Sequence, residues 1–127
     1  SISITKFGDN FILKSNIDQL HIVIGNLVDN AIKYCCKTPQ IDIHLKSKPK
    51  SLIVEIIDNG VGISSEHLQN IFERFYRIPQ GDIHDIKGFG LGLFHVKTIV
   101  NRLGGKISVS STKGKGSSFV IELATRD

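Results

Sequence analysis

The sequence predicts an α/β sandwich, with helices covering one face of a mixed, mostly antiparallel sheet. Three observations carry this. Residues 18–36 and 91–103 are two amphipathic helical stretches, and short alternating or apolar runs lie between and around them. The last two of those runs, 106–111 and 117–123, are joined by Lys113-Gly114-Lys115-Gly116 and read as a hairpin. A terminal hairpin excludes a wholly parallel sheet.

Each element follows from local pattern. Ile2 to Thr5 and Phe11 to Leu13 read as short β pieces. Ser15, Asn16 and Asp18 offer helix N-caps. Beyond them Leu20, Ile24, Leu27, Val28 and Ala31 recur at helical spacing, and Pro39 lies where the helix has already stopped. Ile41, Ile43 and Leu45 alternate with polar residues as a strand. Lys48-Pro49-Lys50-Ser51 is a turn. The run Leu52 to Ile57 is nearly all apolar and reads as a central strand buried on both faces. Glu66 to Phe72 suggests a short helix, and residues 77–90, with Pro79, Gly81, Gly88 and Gly90, a long loop. Gly104-Gly105 closes the second long helix.

Bulk properties narrow the function classes. The chain has 127 residues, enough for one domain with a buried core. Hydrophobic residues make up 40% and charged residues 22%, ordinary for a soluble globular domain. No apolar run approaches the roughly 18 residues of a membrane span, and SISITKFGDN has no signal-peptide pattern. The net charge is +4, but the lysines are dispersed, so a polyphosphate ligand is expected rather than nucleic acid. Cys35 and Cys36 are adjacent and poorly placed to bridge each other, which points to a reducing, cytoplasmic setting.

Candidate chemistry lies in several short segments. Asn26, Asn30 and Lys33 share a narrow arc of the first helix, placed roughly opposite its apolar side. An Asn amide oxygen is a neutral, hard ligand for Mg²⁺ shared with phosphates, and Lys33 adds a point charge. Taken alone, the same face reads more readily as the solvated side of an amphipathic helix. Asp58-Asn59-Gly60-Val61-Gly62-Ile63 follows the apolar strand. Its carboxylate can accept from a base amino group, and its glycines permit close approach of a flat ring. A plain Asn-Gly turn is the alternative, but the second glycine and the flanking Val61 and Ile63 tilt the reading toward a base pocket. Gly88-Phe89-Gly90-Leu91-Gly92 runs straight into a helix, where exposed N–H groups favour an anion. It is neither the dinucleotide fingerprint nor a P-loop. Phe72 to Arg77 places aromatics before the long loop, with Arg77 able to reach a phosphate. Gly114 to Phe119 is a hairpin turn with a strand after it.

Each signal is modest; their order is specific. Asn26 to Tyr34, Asp58 to Ile63, Phe72 to Arg77, Gly88 to Leu93 and Gly114 to Phe119 resemble the N, G1, F, G2 and G3 boxes of the sensor histidine kinase catalytic and ATP-binding domain. The resemblance covers nearly all of the chain. It implies the Bergerat fold, shared with gyrase, Hsp90 and MutL-type ATPases, and it implies ATP and Mg²⁺. On it, Asn30 is the expected metal ligand, with Asn26, Lys33 and Tyr34 around the phosphates. Asp58 is the expected adenine-binding carboxylate, Gly60, Gly62 and Ile63 line the base, and Ser117 lies close by. Gly88, Gly90, Leu91 and Gly92 frame a mobile lid, and Tyr76 and Arg77 border it.

The resemblance also bears on the reaction. ATPase branches of the superfamily carry a Glu, four residues before the metal-binding Asn, that activates water. Here that residue is Asn26, and a neutral amide cannot act as that base. Transfer of the γ-phosphate to a protein histidine is therefore expected. In the family that histidine sits on a separate helical dimerisation domain, N-terminal to the catalytic one. His21, His44, His67, His84 and His95 do not stand in a His-Asp or His-Glu pair at a helix start ahead of the domain, so no phosphoacceptor is expected in this chain. The implied partners are that dimerisation domain and a response regulator. The full-length protein is then expected to be a homodimer, and this fragment a monomer with little activity alone. An anti-sigma-type Ser/Thr kinase and a non-catalytic ATP-binding module of the same fold are the alternatives.

Overall fold

The computed structural model describes residues 2–7, 17–33, 38–73 and 92–124. Among the described residues, five strands and three helices follow in the order β1 (Ile2–Phe7), α1 (Ile17–Lys33), β2 (Ile41–Ser47), β3 (Ser51–Asp58), α2 (Ser65–Leu68), α3 (Gly92–Arg102), β4 (Lys106–Thr112) and β5 (Gly116–Ala124). The sheet order is β1-β2-β3-β5-β4. Only β1 and β2 run parallel; the other neighbours are antiparallel. The expected mixed, mostly antiparallel sheet with helices on one face is what forms.

The alternation of each strand decides the faces. In β3, Leu52, Val54 and Ile56 point to the helices and are buried. Their partners Ile43 on β2 and Leu123, Ile121 and Phe119 on β5 join them, in register. Val23, Leu27 and Ala31 of α1 and Val96, Ile99 and Val100 of α3 close the core from above. Helix α1 packs along α3 as well as on β3.

The expectation that β3 is buried on both faces is corrected. Ile53, Glu55 and Ile57 on its far side are only half-buried, and no described helix covers them. That side is polar along its neighbours. Glu55 meets His44 at 3.3 Å and Lys46 at 3.7 Å across the β2 pair, and Ser118 donates to it from β5. A one-faced sheet needs only one apolar side per strand, and Glu55 interrupting the run is the residue that marks the wet side.

Boundaries moved in physically readable ways. Helix α1 begins at Ile17, so Asp18 falls within its first turn. The caps proposed at Ser15 and Asn16, the β piece at Phe11 to Leu13, and Cys35 and Cys36 lie outside the described residues. The short helix stops at Leu68, after a single turn. Helix α3 ends at Arg102, one residue before the expected end, and is closed by the two glycines as expected. Gly104 adopts φ +75° and donates to the Asn101 carbonyl, and Gly105 donates to that of Val100. These paired bonds satisfy carbonyls the helix leaves open. Among the described residues no helix is long and apolar enough to cross a membrane.

Candidate functional site

Strand β3 ends at Asp58, in phase with Leu52, Val54 and Ile56, so its carboxylate lies on the helix-covered side of the sheet. The side chain is half-buried. Its Oδ1 accepts from the backbone N–H of Gly60 at 2.8 Å and of Ser117 at 3.2 Å. No described residue pairs with Oδ2. Burial pushes the Asp58 carboxyl above its ordinary value, and the two backbone bonds pull it down without cancelling that effect. The carboxylate is thus fixed through one oxygen, and the other is left to accept.

The loop after Asp58 is clasped by the β4–β5 hairpin. Gly114 donates to the Val61 carbonyl at 2.6 Å. Gly62 has φ +75°, and a Cβ there would lie 2.1 Å from the Thr112 carbonyl oxygen. Gly62 is therefore required by the hairpin backbone that passes against it; sequence reasoning had reserved that closeness for a ligand. Gly116 does the reciprocal job with φ +107°, against the backbone of Asp58 and Asn59. Buried Gly60 and Ser117 and half-buried Gly62 and Ile63 are thereby assembled around Asp58, all from the sequence-predicted set.

Two residues that sequence reasoning passed over hold this assembly. Ser111 Oγ accepts from the Ile63 N–H at 2.7 Å, donates to the Gly116 carbonyl at 2.8 Å and lies 2.7 Å from Ser117 Oγ. Its phase with Ile107 and Val109 was the available signal, since it places Ser111 on the inner face. Asn59 accepts from the Gln40 N–H at 2.9 Å and donates to the Thr38 carbonyl at 3.2 Å. It thus ties the loop to the chain entering β2.

The second cluster lies on α1. Asn26 and Asn30 are half-buried, while Lys33 is exposed. The expected placement roughly opposite the apolar side is corrected. At about 100° per residue Asn30 sits only about 20° from Val23, which is wholly buried. The asparagines therefore border the core. Neither amide has a hydrogen-bond partner among the described residues. The start of α3 abuts Asn30: a Cβ on Gly92 would lie 4.0 Å from Asn30 Nδ2. Unpartnered amide oxygens beside a helix N-terminus suit a hard cation shared with an anionic ligand. Tyr34, Tyr76, Arg77, Gly88, Gly90 and Leu91 lie outside the described residues, as does the loop 77–90.

A mixed five-stranded sheet with its helices on one face, an acidic strand end and an asparagine-bearing helix define the class as a two-layer α/β sandwich. Residues 15–127 match the family described as histidine kinase-, DNA gyrase B-, and HSP90-like ATPase, and the chain belongs to that family.

Its curated relatives are named sensor proteins. Sensor protein RprX of Bacteroides fragilis is 45% identical over 112 residues, which cover 84% of this chain and 21% of that protein. Sensor protein SrrB of Staphylococcus aureus is 40% identical over 108 residues, covering 85% of this chain and 18% of that protein. The chain therefore spans about a fifth of the length of these curated relatives. A mycobacterial sensor histidine kinase, MprB, superposes with a TM-score of 0.80 at 25% identity, over 98% of this chain and 84% of that one. The catalytic domain of the histidine kinase ThkA, in a nucleotide-free form, shares the fold with a TM-score of 0.82 at 24% identity, over 98% of this chain and 79% of that one.

Proposed function

We propose that this chain is the catalytic domain of a two-component sensor histidine kinase, one that binds Mg-ATP and donates the γ-phosphate to a histidine. That histidine would lie on an adjacent dimerisation domain of the same protein, and a response-regulator aspartate would receive the phosphate in turn. The observation that carries the reading is Asp58. A half-buried carboxylate, fixed through Oδ1 by two backbone donors and open at Oδ2, is built to accept from an amino group. The 6-amino group of adenine supplies such a donor. Gly60, Gly62 and Ile63 form the backbone wall beside it, and Ser117 holds it from β5.

The phosphates would run toward α1 and the start of α3. Asn30 is the metal ligand in this reading, Asn26 lies one turn before it, and Lys33 carries its charge at the exposed end of the helix. Tyr34, Tyr76, Arg77, Gly88, Gly90 and Leu91 complete the assignment from sequence, with Gly92 where the helix begins. When bound, Mg²⁺ neutralises charge on the β- and γ-phosphates. The chain's own residues position the nucleotide and exclude competing geometry; most of the catalysis is placement. Asn26 is half-buried beside Asn30 and carries no ionisable group, which favours transfer to a side chain over hydrolysis.

The test is a mixture of the chain, labelled ATP and Mg²⁺ with a matched acceptor-helix fragment from the same protein. Acid-labile, alkali-stable label on the fragment's histidine is the expected result. Label on a serine instead would move the protein to the anti-sigma class. No label despite ATP binding by calorimetry would make it a non-catalytic ATP-binding module, and no ATP binding would remove the nucleotide site altogether.

A further inference from the structure

We infer that Ser111 is a positioning residue for purine selectivity: it fixes Ser117 as a hydrogen-bond acceptor beside Asp58, so that the site takes adenine and rejects guanine. The inference rests on the proposed adenine site at Asp58 and deepens it.

The argument is a count of hydrogens. A serine hydroxyl has one hydrogen and two lone pairs. Ser111 Oγ lies 2.8 Å from the Gly116 carbonyl, which can only accept, so the Ser111 hydrogen is committed there. The Ile63 N–H, 2.7 Å away, can only donate, and takes one Ser111 lone pair. The remaining lone pair faces Ser117 Oγ at 2.7 Å. Ser117 must then give its own hydrogen to Ser111. What it has left is lone pairs. Its backbone N–H is also committed, to Asp58 Oδ1.

The polarity next to Asp58 follows. Ser117 pairs with Asp58 across β5 and β3, and both present acceptors only. A ligand edge meeting them must bring N–H donors. The 6-amino group of adenine brings two. In the same pose the 6-oxo group of guanine brings lone pairs, and would set them against the half-buried Asp58 and buried Ser117 acceptors. Ser117 is only 8% exposed, so little water is available to relieve that mismatch. Without the Ser111 hydroxyl, the Ser117 hydrogen is released and can turn toward a 6-oxo group.

Binding of non-hydrolysable ATP and GTP analogues with Mg²⁺, measured by calorimetry, tests this. The ATP-over-GTP affinity ratio is expected to fall about tenfold in Ser111→Ala, the scale of one mismatched buried polar contact. It is expected to fall similarly in Ser117→Ala, and Ser111→Ala is expected to add nothing in that background, because it acts through Ser117. A merely structural Ser111 would weaken both nucleotides alike; an unchanged ratio in Ser111→Ala overturns the inference. So does an equal further drop in the Ser117→Ala background. Should Ser111→Ala fail to fold, Ser117→Ala alone decides, and an unchanged ratio there is fatal to the idea. If the unsubstituted chain binds neither analogue, it is the underlying adenine reading that fails.

Discussion

Gly116 lies so close to Asp58 that a Cβ on it would stand 2.1 Å from the Asp58 carbonyl oxygen. The carboxylate proposed to read the base is therefore held in place by an absence of side chain on the neighbouring strand. Gly116 also has φ +107°, a backbone region that L side chains rarely adopt. Gly116→Ala is expected to cost at least about 2 kcal/mol, from backbone strain plus displacement of the Asp58 loop. Gly114, two residues earlier, has φ +86° but nothing within 4 Å of a built Cβ. Gly114→Ala is expected to cost only about 1 kcal/mol. Urea unfolding of the two variants checks the order; equal losses would mean that the contact with Asp58 does not matter.

Asp58 links binding to pH with opposite signs for stability and affinity. Its carboxyl titrates above its ordinary value because it is half-buried. The folded chain thus holds that proton more tightly than the unfolded chain, and ionisation works against folding. This unfavourable contribution is absent below the ordinary carboxylate range and sets in as pH rises through the raised value. ATP affinity is expected to run the other way, weakening as pH falls through the raised value, because adenine needs the ionised acceptor. Asp58→Asn is accordingly expected to be at least as stable as the unsubstituted chain at neutral pH, yet to bind ATP about ten- to a hundredfold more weakly. A variant that loses stability and keeps affinity would remove Asp58 from the site.

Much of the architecture was legible because two periodicities, helical and alternating, were written into the apolar residues. The α3 terminus was read to within one residue from Gly104-Gly105, since a left-handed helix end selects glycine directly. Where the reading failed, a long-range partner was decisive. Leu52 to Ile57 looked buried on both sides, but Glu55 is satisfied across the pleat by His44, Lys46 and Ser118 from flanking strands. Asn59 read as half of an Asn-Gly turn, and its amide instead clamps a segment about 20 residues earlier in the chain. Ser111 ended an expected strand with no role of its own, and its value depends on three groups brought to it by folding. The asparagines on α1 were recognised, yet their position at the core's margin required Val23, which the apolar count along that helix had left out.

That margin bears on the metal. A half-buried amide with no described protein partner loses little stability when removed, and much function if it holds a cation. Asn30→Ala is therefore expected to change stability by less than about 1 kcal/mol. Its affinity for the ATP analogue in the presence of Mg²⁺ is expected to drop about ten- to a hundredfold. With the metal chelated, the variant and the unsubstituted chain should bind the analogue equally weakly. Calorimetry with and without chelator makes the comparison. If Asn30→Ala weakens binding equally in both conditions, the residue contacts the nucleotide and does not act through Mg²⁺.

Asn59 offers a separation of scaffold from ligand. Its side chain accepts from the Gln40 N–H and donates to the Thr38 carbonyl, so Asn59→Ala opens two bonds at the entrance to β2. A loss of about 1–2 kcal/mol is expected for two partly exposed bonds. The local consequence is sharper than the global one. The Gln40 amide loses its acceptor, and its hydrogen exchange should accelerate well beyond the change seen at the core amides of β3, which report global opening. Uniform acceleration across both strands would show instead that the clamp is no local tie, and that Asn59 contributes through the stability of the whole sheet.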